Sequence, residues 1–305
     1  MKIAFMFSGQ GSQYVGMGQE LFDNFETVKK VFNQANDILG YDISKIMFDD
    51  EKKLNNTLYT QVSMFTLYQA ILKVLEEKNI EADYSVGLSL GEYGAYLHNQ
   101  IFDFETGLKI VKARGDYMSQ ASTENPGKMS AILGLEADRI LELIKKVSGY
   151  VKIANYNTYG QIVISGEEQA VLELNRLALG AGARRAILLN TSGAFHTELM
   201  KDASINFAEY LKDIPLNQPK KRLLVNTTGS FYQENIKGVM KDQITHSVKF
   251  YQMIEKLISE GVDTFIEIGP KTTLSGFVKK INRNLTILNV ENLKSLESTL
   301  SKLEV

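Results

Sequence analysis

Short apolar runs alternate with longer segments of helical period along this chain, and that alternation is its most constraining feature. The apolar runs have the length and composition of buried strands; they cover Ile3 to Phe7, Tyr84 to Val86, Leu223 to Val225 and Thr264 to Ile268. Helices are predicted at 27–39, 62–78, 90–98, 104–121, 197–212, 250–260 and 272–281. Strands that alternate with helices in this way form a parallel sheet packed against helices. The sequence therefore predicts an α/β fold.

The pattern changes between residues 127 and 192. Strands are predicted there at Lys128 to Leu133, Val151 to Asn155, Gln161 to Ser165 and Arg184 to Leu188, with helices at Glu136 to Val147 and Glu167 to Leu179. This βαββαβ order is that of a ferredoxin-like module, and turn residues at 125–127 and 191–193 bound the segment. We therefore predict a large α/β-hydrolase-like domain at 1–126 and 193–305, with a small ferredoxin-like domain at 127–192 inserted into it. A cleft between the two is the expected site.

Composition and charge exclude several classes of function. The 305 residues include 34 Lys and Arg against 36 Asp and Glu, so the net charge of -2 argues against a nucleic-acid-binding protein. The absence of Cys excludes disulfides, thiolate metal sites and cysteine nucleophiles. No apolar stretch is long enough for a membrane span, and the first is too short for a signal peptide. We expect a cytoplasmic monomer with no nucleic-acid or membrane partner.

The strongest local signal for chemistry is the run Gly87-Leu88-Ser89-Leu90-Gly91. This GxSxG follows a predicted strand and precedes a predicted helix, which is the context of a nucleophile elbow. The glycines allow a tight turn, and the helix N-terminus beside the serine stabilises negative charge. Ser89 is therefore the candidate nucleophile. The alternative is a glycine-rich turn in which Ser89 only caps the helix.

A serine nucleophile needs a base, and the chain has three histidines. His98 follows Ser89 on the same helix about 13 Å away, at ~1.5 Å per residue, so we expect it to cap that helix's C-terminal end instead. His246 lies before a predicted helix, in a surface loop or a first turn. His196 lies in the loop that returns from the inserted segment, at the expected cleft. It is the candidate general base.

The loop after the first strand reads Ser8-Gly9-Gln10-Gly11-Ser12-Gln13, which matches neither a phosphate-binding loop nor a dinucleotide fingerprint. Its exposed amides suit one half of an oxyanion hole, and the N–H of Leu90 after the nucleophile suits the other half. Arg114 stands out on the next predicted helix, although most helical arginines are solvated or lay an apolar stem along the surface.

These motifs, in this order, resemble the malonyl-CoA:acyl carrier protein transacylases of fatty acid synthesis. The resemblance rests on GQGSQ after the first strand, GxSLGEY at the elbow, KARG around Arg114, GAFH ending at His196 and EIGP before the last helices. It spans nearly the whole chain and extends to the acyltransferase domains of polyketide synthases. It implies ping-pong transfer of a malonyl group from malonyl-CoA to the phosphopantetheine thiol of acyl carrier protein, with no metal or redox cofactor.

The resemblance also implies roles for individual residues in the reaction. Ser89 corresponds to the acyl-accepting nucleophile and His196 to its base. Arg114 corresponds to the cation that pairs with the free carboxylate of the malonyl group, which suits a bidentate guanidinium. The backbone amides of Gln10 and Leu90 correspond to the oxyanion hole.

Further positions are implied or put in doubt by comparison with the family's pattern. A backbone carbonyl orients the base in this family, and Gln243 is the matching position. Phe195 resembles the bulky residue that goes with malonyl rather than methylmalonyl substrates in related acyltransferases. Leu88 departs from the His that is common before the nucleophile, which removes a polar contact near the substrate carboxylate and leaves recognition to Arg114. Ser247 stands where a proline is usual.

Three alternatives remain open at this point. A polyketide-type trans-acting acyltransferase shares the motifs, a serine thioesterase or other hydrolase shares the elbow, and a non-catalytic scaffold would only bind the carrier protein. Arg114 favours transfer, because a simple esterase has no need to hold a second carboxylate, and the pair Ser89 and His196 argues against a silent scaffold. Four basic residues near the expected cleft rim either dock an acidic carrier or form a solvated surface: Arg185, Lys271, Lys279 and Lys280.

Overall fold

The computed structural model describes residues 1–304, and within them the chain forms two separate sheets. The strands, numbered in chain order, are β1 (Ile3–Phe7), β2 (Tyr84–Gly87), β3 (Lys128–Leu133), β4 (Val151–Thr158), β5 (Gln161–Gly166), β6 (Arg185–Leu188), β7 (Arg222–Val225), β8 (Ser230–Phe231), β9 (Thr264–Ile268) and β10 (Thr286–Val290). The larger sheet has the order β10-β9-β1-β2-β7-β8, and its pairs are parallel apart from β7 with β8. The predicted α/β fold with a parallel sheet is thus confirmed.

Helices connect most of these strands, although β4 runs directly into β5 and β7 into β8. They are α1 (Gln19–Asn24), α2 (Glu26–Leu39), α3 (Ile43–Asp49), α4 (Glu51–Leu54), α5 (Thr57–Glu77), α6 (Gly91–His98), α7 (Phe104–Glu124), α8 (Ala137–Ile144), α9 (Glu168–Gly180), α10 (Lys201–Leu211), α11 (Ile236–Gln243), α12 (Phe250–Ser259), α13 (Thr273–Ile281) and α14 (Leu293–Leu303), with a 3₁₀ turn at Glu198–Met200. Alternate side chains of β1 enter two different apolar cores, because successive residues of a strand face opposite sides. The larger sheet is therefore covered on both faces. No helix in the described range 1–304 is long and apolar enough to cross a membrane.

The smaller sheet is formed by β3 to β6 in the order β4-β5-β3-β6, with antiparallel pairing throughout. Helices α8 and α9 pack on it around a third apolar core. The order of elements along this segment is the one predicted from the sequence. Strand β6 lies at an edge, and the side chains of Ile187 and Leu188 on it are exposed.

Several elements are absent from the sequence prediction: α1, α3, α4, α11, β8, β10 and α14. Most are short, so few residues carry their periodicity. The helix predicted at 197–212 begins with the 3₁₀ turn and becomes α-helical only at Lys201.

The role expected for His98 is wrong. Asn99 caps α6, and its Nδ2 donates to the carbonyl of Ala95 at 3.0 Å. The ring of His98 packs instead on Phe5, with centroids 4.9 Å apart, and burial lowers its pKa to about 3. The neutral ring has no charge to offer the helix terminus.

Two connections bring distant parts of the chain to one edge of the larger sheet. Because β1 and β2 are parallel neighbours, the loop after β1 and the elbow after β2 leave from the same edge. The segment after α11 is held against β4, since Tyr156 N–H donates to the Val248 carbonyl and Val248 N–H to the Ala154 carbonyl, both at 2.8 Å. Ser247, at the position where proline is usual in the family, donates its hydroxyl to the carbonyl of Ile153 at 2.6 Å. These hydrogen bonds join the smaller sheet to the segment that follows α11.

Candidate active site

The turn at Ser89 joins β2 to α6 with little room for side chains. Ser89 has a φ of 53°, in the left-handed region that non-glycine residues seldom adopt. A Cβ on Gly91 would lie 2.0 Å from the carbonyl oxygen of Phe7, and a Cβ on Gly87 would lie equally close to the Gly91 backbone. Asn226 holds the turn, because its Oδ1 accepts from Ser89 N–H at 2.8 Å and its Nδ2 donates to the Gly87 carbonyl at 2.7 Å. The hydroxyl of Ser89 is thereby directed by its backbone.

The imidazole of His196 lies against this hydroxyl. Ser89 Oγ and His196 Nε2 are 2.7 Å apart, and His196 Nδ1 is 2.8 Å from the carbonyl oxygen of Gln243. A carbonyl only accepts, so Nδ1 carries the proton and Nε2 is free to accept one from the serine. Burial, with the positive charge of Arg114 nearby, lowers the pKa of His196 to about 4. The ring is therefore a neutral acceptor at pH 7.

Arg114 is buried beside the same hydroxyl, with 1% of its surface exposed, so the interpretation as a solvated helical arginine is wrong. Its Nη1 donates to Gln61 Oε1 at 2.9 Å, and its Nη2 donates to Gln243 Oε1 at 3.0 Å and to Ser89 Oγ at 3.4 Å. The guanidinium carbon lies 5.2 Å from the centroid of the Tyr93 ring. Burial lowers the pKa of Arg114, but a guanidinium stays charged. The site thus contains a fixed buried cation.

The two amides expected to form an oxyanion hole lie at the ends of neighbouring strands. Leu90 follows the nucleophile in the elbow, and Gln10 lies in the loop after β1. The side chain of Gln10 is held by Thr57, whose Oγ1 accepts from its Nε2 at 3.0 Å. Within residues 1–304, neither backbone N–H has a carbonyl acceptor. Both donors are therefore available to a ligand.

A cavity of about 490 Å³ opens onto these groups between the two sheets, a volume that suits a small-molecule site. Its walls come from the loop after β1, the elbow, and strands β3 to β5. Gln10, Ser89, Arg114 and His196 all line it, as do the side chains of Leu88 and Phe195. A second cavity of about 500 Å³ shares Gln13, Asn55 and Lys271 with the first, so the two adjoin.

Two amide side chains in this cavity were not predicted from the sequence. Asn155 and Asn157 line it from β4 and are 8% and 5% exposed. Their Oδ1 atoms are buried and have no hydrogen-bond partner in the described part of the chain. Alternate residues of a strand share a face, so the two-residue spacing of these asparagines at the end of a predicted strand could have indicated that both face the cleft. Gln61, Glu92 and Asn226 were missed as well.

Comparison with known proteins adds independent information. Residues 4–298 match the sequence profile of the acyl transferase domain. The chain belongs to the acyl transferase family. The malonyl CoA-acyl carrier protein transacylase of Bacillus subtilis (strain 168) is 38% identical in an alignment of 309 positions, which covers 99% of this chain and 98% of that protein. The resemblance inferred from the motifs is thus confirmed, and the protein is an acyltransferase.

Solved structures agree with this assignment. The malonyl CoA-acyl carrier protein transacylase from Clostridium perfringens Atcc 13124 has a TM-score of 0.96 at 45% identity, over 100% of this chain and 98% of that chain. A chain from the structure of a type II PKS acyl-carrier protein in complex with its malonyl-transacylase has a TM-score of 0.96 at 33% identity, over 99% of this chain and 100% of that chain. This acyl transferase therefore shares its whole fold with both.

The remaining predicted positions of this acyl transferase fall at different distances from the cavity. His246 is exposed and its Nδ1 lies 2.8 Å from the carbonyl oxygen of Asp242, so it is a loop residue away from Ser89. Lys271 lines both cavities, whereas Lys280 donates to Gln161 Oε1 at 3.1 Å on the rim. Arg185 lies exposed on β6, and Lys279 is exposed on α13. No cluster of three or more His, Asp or Glu side chains in residues 1–304 is arranged to hold a metal ion.

Proposed function

We propose that this acyl transferase moves a malonyl group from malonyl-CoA to the phosphopantetheine thiol of acyl carrier protein in fatty acid biosynthesis, through a malonyl ester of Ser89. The observation that carries the proposal is the meeting of three groups at one oxygen. Ser89 Oγ is 2.7 Å from His196 Nε2 and 3.4 Å from Arg114 Nη2. Nucleophile, neutral base and buried cation are what transfer of a carboxylated acyl group requires.

In the first half-reaction His196 Nε2 accepts the proton of Ser89 while Oγ attacks the thioester carbon. The N–H groups of Gln10 and Leu90 donate to the oxyanion that forms, which is the main electrostatic contribution to such a step. When the C–S bond breaks, His196 returns the proton to the CoA sulfur. Arg114 pairs with the distal carboxylate and so selects malonyl over acetyl groups.

The second half-reaction runs the same groups in reverse order. The thiol of the carrier's phosphopantetheine gives its proton to His196 and attacks the ester carbon of malonyl-Ser89. The C–O bond to Ser89 breaks, and His196 returns the proton to Oγ. The hydrogen bond from His196 Nδ1 to the Gln243 carbonyl keeps Nε2 in the accepting form at the start of each half. Neither half needs a metal or a redox cofactor.

Both thiol substrates share the phosphopantetheine arm, which contains two amide groups. Asn155 and Asn157 offer buried amide oxygens without protein partners on the cavity wall, so we assign them to the arm. Lys271, which lines both cavities, and Lys280, which donates to the cavity-lining Gln161, offer positive charge to an acidic carrier. Phe195 borders the acyl position, where its bulk favours an unbranched malonyl group, and Leu88 lines the same cavity with an apolar side chain that leaves carboxylate recognition more to Arg114.

We also propose that residues 127–192 form a ferredoxin-like module inserted into an α/β-hydrolase-like domain made of 1–126 and 193–305. The strand order β4-β5-β3-β6 and the separate apolar core under α8 and α9 support this division. The absence of Cys fits a cytoplasmic, reducing location.

Intact-mass measurement after mixing the protein with malonyl-CoA tests the function. We expect one malonyl adduct on the wild type, none on Ser89→Ala, and loss of the adduct when a phosphopantetheinylated carrier is added. Thioester consumption at the same rate with and without carrier would instead indicate a hydrolase, and no consumption at all would indicate a scaffold. Using fatty acid and polyketide carriers as acceptors in parallel separates the polyketide-type alternative.

A further inference from the structure

Glu92 is a buried carboxylate that the mechanism above does not use. It lies in the first turn of α6 and has no exposed surface. Its Oε1 accepts from the N–H of Asn226 at 2.7 Å, and its Oε2 accepts from Nε2 of Gln243. Burial raises the pKa of this carboxyl, whereas the hydrogen bonds from Asn226 and Gln243 and the positive charge of Arg114 lower it and so favour the ionised form. Both of its oxygens accept hydrogen bonds here, as an ionised carboxylate requires.

The side chain of Gln243 connects Glu92 to the groups that surround the nucleophile. Its Nε2 donates to the carbonyl oxygen of Ser89 at 2.8 Å as well as to Glu92, and its Oε1 accepts from Arg114 Nη2 at 3.0 Å. The backbone carbonyl of the same residue accepts from His196 Nδ1. One residue therefore contacts the nucleophile, the base and the cation.

The direction of these hydrogen bonds is set by charge. An ionised carboxylate only accepts hydrogen bonds, and a guanidinium only donates them. Glu92 therefore requires Nε2 of Gln243 on its side, and Arg114 requires Oε1 on the other. If the Gln243 amide were reversed, its Nε2 donor would face the Nη2 donor of Arg114. The Ser89 carbonyl would also lose the donor that Nε2 provides. A neutral glutamine at position 92 would not impose this orientation, because it can either accept from Nε2 or donate to Oε1 of the Gln243 amide.

We propose that Glu92 is a positioning residue for malonyl recognition, because its carboxylate orients the Gln243 amide and this amide holds the Arg114 guanidinium in place. This inference rests on the proposed function. Acetyl transfer does not depend on pairing with Arg114, so the loss of Glu92 lowers malonyl transfer more than acetyl transfer. Its signature is therefore a change in selectivity.

A double-mutant cycle tests whether Glu92 acts through Gln243. Rates of Ser89 acylation from malonyl-CoA and acetyl-CoA are measured for the wild type, Glu92→Gln, Gln243→Ala and the double variant. Gln243→Ala removes the amide but keeps the carbonyl that holds His196. We expect Glu92→Gln to lower malonyl acylation roughly ten- to hundredfold, the range of a lost hydrogen bond to a charged group, with a smaller loss for acetyl. The double variant should be no slower than the slower single variant, whereas losses that multiply would overturn the proposal.

Glu267→Gln is the matched control. Glu267 is equally buried at the end of β9, its pKa is also raised to about 7, and it accepts from the N–H groups of Leu274 and Ser275 at 3.0 and 2.7 Å. It makes no hydrogen bond to Ser89, Arg114 or Gln243 within residues 1–304. Its substitution should leave the malonyl to acetyl ratio unchanged. A fall as large as that of Glu92→Gln would reveal a general effect of buried charge and overturn the proposal.

A second variant covers the case in which Glu92→Gln does not fold. Gln243→Met has a similar shape but no hydrogen-bonding groups, so it breaks the same link from the other end. It should lose malonyl preference as Glu92→Gln is expected to, and an unchanged preference would overturn the role of the amide. A wild-type protein that forms no malonyl adduct would instead remove the proposed function. A malonyl adduct on the wild type, together with losses of the two single variants that multiply in the double variant, would overturn only the role of Glu92.

Discussion

At Arg114 the charge of the guanidinium is met by neutral oxygens. The acceptors on its Nη1 and Nη2 atoms belong to two glutamines and to Ser89. In the proposed function an incoming malonyl carboxylate would bring the first directly bonded countercharge, which would be the physical basis for selecting a dicarboxylic acyl group.

Replacing this cation should invert the preference for acyl groups. In Arg114→Ala the malonyl carboxylate is desolvated and unpaired, a cost of ~2–5 kcal/mol. At ~1.4 kcal/mol per decade, malonyl transfer falls by roughly thirty- to several-thousand-fold. Acetyl transfer should be unchanged or faster. Acylation rates with malonyl-CoA and acetyl-CoA measure this, and proportional losses with both would make Arg114 a structural residue.

In the proposed mechanism His196 is the general base, so its pKa sets the acidic limit of activity. A general base works in its neutral form, and the pKa of His196 lies at about 4 rather than near the ordinary 6.5 because the ring is buried beside Arg114. Acetyl transfer to Ser89 should therefore stay constant from pH 8 to 6 and fall only as the pH drops through about 4. Single-turnover rates after brief pH jumps measure the profile. A midpoint near 6.5 would contradict a buried base.

His196→Ala provides the reference for that profile. It should lower transfer by ~10²–10⁴-fold, the usual contribution of a general base, and abolish the acidic limb. If His246→Ala showed this loss and His196→Ala showed none, the assignment of the base to His196 would be wrong. Circular dichroism of both variants checks that the fold is retained.

Residues differ in how far their roles follow from sequence. Ser89 is predictable because a GxSxG between a strand and a helix is a local pattern. Glu92, Gln61 and Asn226 are not, because their roles come from hydrogen bonds to partners between 53 and 151 positions away. No local pattern records such a pairing, and only folding brings it about.

At the scale of elements, the fit of α6 against β1 decides the position of the nucleophile. A Cβ on Gly91 would lie 2.0 Å from the Phe7 carbonyl oxygen, a backbone atom that cannot turn aside. Gly276 in α13 has nothing within 4 Å of the same added atom. Two glycines near the starts of helices thus differ sharply in the space around them.

These glycines make a matched pair of substitutions. Gly91→Ala should destabilise the fold by ~1–3 kcal/mol or more through overpacking and should slow acylation by moving Ser89. Gly276→Ala should be neutral or raise stability by up to ~1 kcal/mol, the helix propensity difference. Urea unfolding together with adduct formation measures both effects. Equal stability of the two variants would mean that α6 can slide away from β1.

Length alone does not decide which helices can be predicted, since α6 and α11 have eight residues each and only α6, which follows the GxSxG motif, was predicted. The helices α5 and α7 have 21 residues each, and apolar segments of that length are too long for strands. Helix α11 has eight residues and ends at Gln243, which holds His196. Periodicity does not locate so short a helix, and only the resemblance to a family indicated that Gln243 belongs to the site.

At the scale of the whole molecule, the cavity needs both sheets. The larger sheet supplies Ser89 and the loop after β1, while β4 supplies Asn155 and Asn157. The hydrogen bonds between Val248 and β4 keep the two parts in register. In the proposed function, binding of the thiol substrate would therefore depend on residues that take no part in bond making.

Substitution of these two asparagines should separate binding from chemistry. Asn155→Ala with Asn157→Ala should raise KM for malonyl-CoA and for the carrier by a similar factor, about ten-fold if each amide loses one hydrogen bond, with little change in kcat. Steady-state kinetics for both substrates measure this. A change for one substrate alone would show that the arm follows two different paths.

Strand β1 lies between β2 and β9, and Ser8 at its end bonds to Ile268, 260 positions further along the chain. A ribosome adds ~5–20 residues per second, so β1 waits roughly 13–50 s for this neighbour. The strands β3 to β6 are contiguous and can pair much sooner. During synthesis the incomplete sheet has an unpaired apolar edge strand, and such edges pair with the strands of other chains. We therefore expect aggregation in cells to begin from the nascent polypeptide, and soluble yield to depend on the chaperones that shield it until its last quarter has been made.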